Sequence, residues 1–423
     1  MTTMAIVDKE KRSSDLKHRI LQINKFHFLN GGSELYYFGL SKLLREHGHQ
    51  VGHFSMKHPE NVPCEQERFF TENVNYDAPG GIYNRLAVAA NTIYSFTARR
   101  QLSALLDHER YDIAHLHNFH HQLSPSILVE LKRRGLKIVH TVHDFKLVCP
   151  NYKMLTHDGV CERCKGHRYY QSVLHRCNKH SLAASAVCAL EMYLQRLMGY
   201  LDLIDVFLVP ARFTAEKIIE FGIPRSKVCL APNFVNAKAF TPRYQPGDYL
   251  LYLGRLSPEK GVATLVRAMK GAPSIPVKIA GRGPLADKIQ KMVREESLDN
   301  IQLVGHLSGS RLVETVQNCM AIVMPSVCYE NCPLSVIEAF AYGKPVIGAR
   351  IGGLGDMVTD GETGFQFDAG DAAGLREVLA KAVANPAKLR EMGRRARQVA
   401  ETTYDAEPHY ELIKRVYDEL MRL

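Results

Sequence analysis

The sequence lacks the features of a secreted or membrane-spanning protein. Its first residues, MTTMAIVDKEKRSSDLKHR, are polar and mixed in charge, with no apolar core for a secretory signal. No run of about eighteen residues is apolar and free of charge. The nearest candidate, residues 190–209, contains Glu191, Arg196, Asp202 and Asp205. We therefore expect a cytoplasmic protein whose ten cysteines are reduced thiols.

Low-complexity segments and short repeats are absent as well. Hydrophobic residues make up 46% of the 423 positions and charged residues 23%, which excludes a disordered, collagen-like or coiled-coil protein. A chain of this length is expected to form two or three domains, and it can bury large cores without needing disulfides or metals to fold.

Positive charge is in excess, and the excess is uneven. The chain has 54 Lys and Arg against 44 Asp and Glu. Residues 1–230 hold 30 basic and 22 acidic side chains, whereas residues 231–423 hold 24 and 22. The basic first half predicts an anionic partner, which could be nucleic acid, membrane lipid or a phosphorylated small molecule.

Strand-like and helix-like segments alternate along the chain, and the pattern starts twice. In the first half we predict strands at 19–24, 50–55, 113–117 and 137–143 and helices at 33–47 and 124–134. In the second half we predict strands at 249–253, 277–280, 301–304, 321–324 and 345–349 and helices at 261–270, 285–296 and 333–342. This order predicts an α/β protein with two Rossmann-like doubly wound domains and a ligand cleft at the carboxyl ends of their strands. Residues 232–246 are the predicted link, and a helix from about Pro408 ends the chain.

Two loops that precede helices carry residues suited to phosphate. Gly31 and Gly32 follow the first strand, where glycine lets a ligand approach the backbone and a helix N-terminus attracts anions. A plain tight turn capped by Ser33 is the alternative. In GRLSPEKG, Arg255 and Lys260 flank a turn and suit the charge that develops on a departing diphosphate. A solvated loop with an incidental ion pair is the alternative there.

Two glutamates follow in SVCYENCPLSVIE. Glu330 precedes a helix that begins near Pro333, and Glu338 lies on that helix among apolar neighbours. A carboxylate on an apolar helix is costly unless it meets a ligand. Both side chains only accept hydrogen bonds when ionised, which suits the hydroxyl groups of sugars.

These motifs together resemble glycosyltransferase family four, whose members are retaining enzymes of the GT-B fold that use nucleotide-activated sugars. The resemblance rests on the GGSE loop, GRLSPEKG, the two glutamates with PLSVIEAFAYGKPVI, and DGETGFQF, and it runs from about residue 19 to the end. It implies an acceptor-binding domain (1–232) with a cysteine-rich insertion (149–180), a donor-binding domain (233–407) and a final helix (408–423) that packs back on the first domain.

The resemblance also implies roles for single residues. Arg255 and Lys260 would hold the donor diphosphate, Glu338 the ribose and Glu330 the transferred sugar. Asn331, Pro333, Leu334 and Ser335 would complete the donor loop. The turns that contain Gly281, Arg282, Gly283 and His306 would flank the base. Gly31 and Gly32 would approach the phosphates or the acceptor from the first domain.

Histidines lie at the ends of two predicted strands. His143, in HTVHDF, is the active-site histidine by the same resemblance, and a neutral imidazole there can hydrogen-bond a hydroxyl or a phosphate. His117, Asn118 and Asp144 are assigned to the acceptor side. A metal site formed by His115, His117, His120 and His121 is the alternative for the upstream histidines.

Four cysteines follow His143 closely: Cys149, Cys161, Cys164 and Cys177. One CxxC pair with two separated cysteines can supply a tetrahedral thiolate site, for which zinc is the default metal. Unligated or redox-active thiols and an iron–sulfur cluster remain open. Any metal would brace the loop beside the cleft and would not be the catalyst.

We therefore expect a retaining glycosyltransferase of the hexosyl or N-acetylhexosaminyl type, working in cell-surface polysaccharide or glycoconjugate biosynthesis without a catalytic metal. The donor is expected to be a UDP-sugar, with a GDP-sugar as the alternative, and the acceptor a glycan or lipid-linked molecule. The alternatives are a GT-B nucleotide-sugar epimerase, a non-catalytic nucleotide-sugar sensor and a zinc-containing nucleic-acid-binding protein. Against the last, the run Lys132-Arg133-Arg134 ends a predicted helix, where cations complement the dipole.

The surplus cations of the first half belong to the expected acceptor domain. They include Arg85, Arg99, Arg100, Lys132, Arg133, Arg134, Lys165, Arg168, Arg176 and Lys179. We expect this face to meet a phosphate-linked acceptor or anionic lipid at the inner face of the plasma membrane.

Overall fold

A computed structural model describes residues 16–73, 91–272 and 275–422. The first fifteen residues and Arg85 lie outside this part of the chain. The described residues form two α/β domains, each built on a six-stranded parallel sheet. A run of parallel strands needs helical crossovers, which is why helices cover both faces of each sheet.

The described residues of the first domain form eight strands in chain order: β1 (Arg19–Ile23), β2 (Gln50–Phe54), β3 (Ile113–Leu116), β4 (Lys137–Thr141), β5 (Leu155–Thr156), β6 (Gly159–Val160), β7 (Val206–Val209) and β8 (Val228–Leu230). Its helices are α1 (Gly32–Glu46), α2 (Phe96–His108), α3 (Ser126–Arg133), α4 (Tyr170–Leu174), α5 (Leu182–Leu197) and α6 (Arg212–Glu220). The sheet order is β2-β1-β3-β4-β7-β8, and β5 and β6 form a separate antiparallel hairpin.

The second domain contains β9 (Tyr249–Leu253), β10 (Val277–Ala280), β11 (Ile301–Gly305), β12 (Cys319–Met324), β13 (Val346–Ala349) and β14 (Gly364–Phe367). Its helices are α7 (Val262–Met269), α8 (Ala286–Glu295), α9 (Gly309–Gln317), α10 (Leu334–Ala341), α11 (Gly352–Met357), α12 (Ala372–Val383) and α13 (Pro386–Thr403). The sheet order β11-β10-β9-β12-β13-β14 reverses direction between β9 and β12. Ligands of doubly wound sheets bind beside such a reversal.

The last helix, α14 (Ala406–Arg422), returns to the first domain as expected. Its apolar positions Tyr410, Ile413 and Tyr417 pack with Ile20 and Leu40 on one face of the first sheet. Polar contacts add to this packing: the Tyr417 hydroxyl lies 2.6 Å from a ring nitrogen of His115, and His409 lies 2.9 Å from the hydroxyl of Tyr36. The predicted fold class, two Rossmann-like domains with a helix that crosses back, is confirmed.

The predicted helices and strands differ from the observed ones mainly at their ends. The strand predicted over 137–143 ends at Thr141, and the helix predicted over 124–134 begins at Ser126, since Ser124 has a φ of 57° and cannot continue a helix. In the described part of the chain, no helix is long and apolar enough to cross a membrane.

Candidate active site

The carboxyl ends of both sheets border one cleft with a volume of about 360 Å³. Residues from both domains line it, including ten of the predicted site residues: Gly32, Asn118, His143, Asp144, Arg255, Lys260, Glu330, Asn331, Pro333 and Leu334. The remaining predicted site residues outside the cysteine group do not line this cavity: Gly31, His117, Gly281, Arg282, Gly283, His306, Ser335 and Glu338.

Lys260 and Glu330 form an ion pair in the wall of the cleft. The ammonium lies 2.7 and 2.9 Å from the two carboxylate oxygens, and the Ser326 hydroxyl donates to Oε1 of Glu330 at 2.6 Å. Burial lowers the pKa of an ammonium, but the Glu330 carboxylate outweighs burial here, and the pKa of Lys260 lies above its usual value. The lysine therefore stays charged in a largely buried position beside the cleft.

Arg255 lies at the rim of the same loop. Its guanidinium donates to Oε1 of Glu259 at 2.7 Å, and its side chain is 61% exposed. Gly261, which follows the turn Pro258–Lys260, has a φ of 66°, and a Cβ there would lie 1.7 Å from the carbonyl oxygen of Pro325. This close approach requires glycine and brings the two loops of the second domain together.

The turn after β10 supports this loop from behind. The Leu256 amide donates to the Arg282 carbonyl at 2.8 Å, and a Cβ on Gly283 would lie 2.3 Å from the Leu256 carbonyl oxygen. Gly281 donates in turn to the Gly305 carbonyl at 2.8 Å. The predicted base-flanking turns therefore meet behind the cation loop, while the side chains of Arg282 and His306 are exposed.

Glu338 lies on α10, which begins just after Pro333. Burial raises the pKa of Glu338 to about 6. Its neighbours Val336, Ile337, Ala339 and Phe340 are buried in the core of the second domain. The partly exposed carboxylate is therefore held in an apolar setting, as the sequence indicated.

His143 is half-buried beside the cleft and is connected to a chain of polar groups. Its Nε2 lies 2.9 Å from Nδ1 of His117, whose Nε2 lies 2.6 Å from the amide oxygen of Gln22. An amide oxygen only accepts, so His117 donates through Nε2 and accepts from His143, and Nδ1 of His143 remains an acceptor. Burial lowers the pKa of His143 to about 3, which keeps the imidazole neutral.

The GGSE loop has a structural role in this arrangement. Glu34 is buried and accepts hydrogen bonds from the Asn24 amide at 3.2 Å and the Ser33 hydroxyl at 3.0 Å. Asn24 accepts in turn from the Asn118 backbone amide at 3.0 Å. Position 32 faces the second domain, because a Cβ there would lie 3.7 Å from the Leu334 side chain.

Asp144 follows His143 at the end of the same segment. Its carboxylate accepts from the Lys146 backbone amide at 2.8 Å, and burial raises its pKa. The side chain lines the cleft beside Phe145.

The four cysteines of the insertion line a second, smaller cavity. Burial raises the pKa of Cys149 to about 11, and burial together with Cys149, Cys161 and Cys177 raises that of Cys164 to about 12. The thiols are thus close enough to influence one another. Within residues 16–73, 91–272 and 275–422, however, no group of three or more His, Cys, Asp or Glu side chains is arranged to hold a metal ion. This applies equally to the upstream histidines.

Several residues in the cleft wall belong to no motif of the sequence. Tyr152 and Lys153 come from the cysteine-rich insertion, and Asn233 comes from the link between the domains. The Asn233 amide donates to the Cys332 carbonyl at 2.7 Å, whereas its buried Oδ1 has no hydrogen-bond partner. No local sequence motif marks these residues as part of a site, because only folding brings the insertion to the cleft.

Two family profiles match consecutive parts of the chain. The profile of Glycosyltransferase Family 4 matches residues 30–239, and that of Glycosyl transferases group 1 matches residues 236–399. The chain belongs to this family of glycosyltransferases, as its motifs predicted. It is similar to a glycogen synthase of Mycobacterium tuberculosis, with 34% identity over 195 residues, which are 44% of this chain and 47% of the relative. The chain spans about half the length of the curated relatives that it first matches.

Solved structures with the same architecture cover nearly the whole chain. Sucrose-phosphate synthase from Thermosynechococcus elongatus has a TM-score of 0.71 at 22% identity, over 96% of this chain and 100% of that one. Anabaena HepE, solved in complex with UDP and glucose, has a TM-score of 0.63 at 14% identity, over 96% and 100%. The fold is therefore GT-B, with two Rossmann-like domains on either side of a cleft.

Proposed function

We propose that this protein is a retaining glycosyltransferase that moves a sugar from a nucleotide-diphosphate sugar to a glycan or lipid-linked acceptor. The observation that carries the proposal is the composition of one cleft. Arg255, Lys260 and Glu330 of the second domain line it opposite His143 of the first. Cations for a diphosphate and acceptors for sugar hydroxyls thus lie within one cavity.

The proposed donor is a UDP-sugar. Its support is the fold that the chain shares with HepE, which was solved with UDP and glucose. A GDP-sugar is the alternative to be compared in the same assay. In this proposal Glu338 accepts from the ribose hydroxyls, and Glu330 accepts from hydroxyls of the transferred sugar.

The proposed reaction takes place on one face of the sugar. The bond between the anomeric carbon and the diphosphate oxygen breaks, and the acceptor hydroxyl oxygen bonds to the same carbon. The proton of that hydroxyl passes to an oxygen of the departing phosphate. Lys260 and Arg255 stabilise the charge on the diphosphate, and the neutral His143 accepts a hydrogen bond from a hydroxyl of the bound sugar.

Replacement of Lys260 tests this proposal. We expect Lys260→Ala to lower kcat about a hundredfold while the donor Kd changes much less, because the cation acts on charge that develops in the transition state. The matched control is Lys270→Ala, which removes an exposed lysine paired with Glu296 in the same domain. Unchanged kcat in Lys260→Ala, or an isomerised donor as the product, would contradict the proposal.

We further propose that catalysis needs no metal and that the four cysteines bind a structural zinc. The support for the zinc is that all four cysteines line one cavity. Because the thiols are not arranged to hold a metal, the proposal requires that metal binding draw them together. Metal analysis of protein purified under reducing, anaerobic conditions tests it. One zinc per chain, lost in Cys164→Ser, is expected, and activity should persist in a chelator too weak to remove it.

A further inference from the structure

Helix α5 turns an apolar face to solvent. Its inner positions, such as Cys188, Ala189 and Met192, are buried. On the outer side, an exposed stripe recurs at helical spacing: Leu182, Ala186, Leu190, Tyr193 and Leu197. At 100° per residue these five positions fall within about 80° of the helix circumference. The outer face of a surface helix is normally polar, so this face is exceptional.

Helix α4 extends the same surface. Tyr170 and Leu174, four residues apart, are 47% and 68% exposed. The Tyr170 amide donates to the Tyr193 hydroxyl at 3.2 Å, which places the two helices side by side. Tyr170, Leu174, Leu182, Leu190, Tyr193 and Leu197 therefore form one exposed surface, called here the α4–α5 patch. Contiguous apolar surfaces of this kind mark interaction sites.

The segment of sequence that carries the α4–α5 patch is rich in cations. Residues 163–198 contain six basic side chains: Arg163, Lys165, Arg168, Arg176, Lys179 and Arg196. Their single acid, Glu191, is fully buried 2.7 Å from the Lys146 ammonium and adds no charge to the surface. Arg163 pairs with Asp158 and Lys165 with Glu220, two carboxylates outside the segment. The segment itself keeps a net charge of +5.

We propose that the α4–α5 patch docks on an anionic lipid bilayer. Apolar side chains in the middle of the patch would enter the boundary between headgroups and acyl chains, and the surrounding cations would meet the anionic headgroups. The same charges disfavour a symmetric dimer through this face, because the cationic rims would oppose each other. Binding of a bilayer requires neither donor nor acceptor, so it is independent of the proposed function.

Sedimentation with vesicles tests the proposal on the full chain. We expect binding to vesicles of phosphatidylglycerol mixed with phosphatidylcholine, weaker binding at high salt, and little binding to phosphatidylcholine alone. Leu190→Glu and Leu197→Glu should each lower the partition coefficient about tenfold or more, because each removes buried apolar area. Both positions are at least half exposed, so both variants are expected to fold, which their thermal midpoints verify.

The matched control is Met421→Glu. Met421 is 41% exposed on α14, which covers the opposite face of the first sheet from α5, and its replacement should leave vesicle binding unchanged. Three results would overturn the proposal: no binding of the unaltered protein at low salt, equal binding to both kinds of vesicle, or equal loss in the control. A dimer that Leu197→Glu dissociates, with no vesicle binding, would assign the patch to self-association instead.

Discussion

At the scale of single residues, Glu338 places a carboxylate in an apolar and largely buried position, which disfavours its ionised form. Burial raises its pKa to about 6, and among the described residues no partner of its carboxylate is found. When the pKa of a carboxyl group is higher in the folded state than in the unfolded state, folding favours the neutral form of that group. The ionised form therefore lowers stability as the pH rises from about 4.5 through 6. In our proposal, the donor ribose supplies the missing hydrogen bonds.

We expect Glu338→Gln to stabilise the protein and to weaken donor binding. At pH 8 the variant should gain about 2 kcal/mol in the free energy of unfolding, and at pH 4.5 the gain should vanish. The donor Kd should rise about tenfold or more, since an amide replaces a charged acceptor. Urea unfolding at both pH values and donor titration measure these effects.

The exposed Glu377→Gln serves as the control for Glu338→Gln and should change neither quantity. A loss of stability at pH 8 in Glu338→Gln would mean that the carboxylate has a stabilising partner. Unchanged donor affinity would remove Glu338 from the donor site and leave the stability argument intact.

The residue roles were suggested by sequence, but their contacts were not. The sequence identifies Arg255, Lys260 and Glu330 because each lies in a short motif that contains several charged or polar residues. The pairing of Lys260 with Glu330 joins positions seventy residues apart, and Lys153 reaches the cleft from an insertion. Such contacts depend on how β9 and β12 lie side by side, which no local pattern encodes.

At the scale of elements, the loop between β12 and α10 is tied to the first domain by side chains. The Tyr329 hydroxyl donates to Oε1 of Glu162 at 2.8 Å. The Asn331 amide donates to the Val142 carbonyl at 2.7 Å, and the Thr214 hydroxyl donates to Asn331 at 2.7 Å. Because Glu162 lies inside the CxxC pair, the cysteine-rich insertion helps to place the loop that carries Glu330.

We expect Tyr329→Phe to lower kcat several-fold with little change in the donor Kd. The ring contact with Phe213, at 4.5 Å between centroids, is retained, so only the hydrogen bond to Glu162 is lost. A charge-assisted hydrogen bond contributes about 1.5–3 kcal/mol, enough to loosen the alignment of the two domains. Initial rates and donor titration separate the two quantities.

The control is Tyr249→Phe, which removes a hydroxyl that donates to the Thr315 carbonyl at 2.7 Å within the second domain alone. It should leave kcat unchanged. Equal losses in both variants would show that the link between the domains has no special role.

Strands bounded by turn residues were predictable from the sequence, whereas several long helices were not, among them α5 (Leu182–Leu197) and α13 (Pro386–Thr403). The strands β9 and β10 were predicted with their observed bounds, because apolar runs between turn residues are distinctive. The strands β7 and β8 are only four and three residues long and were missed. Residues 190–209 contain too many charges for a membrane helix and include the end of α5. The apolar outer face of α5 can be recognised only in the structure, which shows which side of the helix is buried.

At the scale of the whole molecule, the first domain and the helix α14 that packs on it contain many neutral histidines in buried or half-buried positions. Burial lowers the pKa of His27, His49 and His140 to about 4, and that of His143 and His409 to about 3. Several of these rings join separate elements, as His409 joins α14 to α1 through Tyr36. The packing of the final helix on the first domain therefore depends on uncharged imidazoles.

This arrangement predicts that acid destabilises the protein. A histidine with a lowered folded pKa contributes its full stability above its unfolded pKa of about 6.5, and that contribution is lost as the pH falls toward 4 and then 3. At pH 5 each imidazole that stays neutral in the fold should lower the free energy of unfolding by about 2 kcal/mol. The raised pKa values of Glu338, Asp144 and Glu191 make acid stabilise the fold, but these carboxyl groups are fewer than the histidines with a lowered pKa. The thermal midpoint should therefore fall between pH 7 and pH 5, and less steeply in His409→Gln. A midpoint that stays constant or rises over that range would show that the buried imidazoles do not control stability.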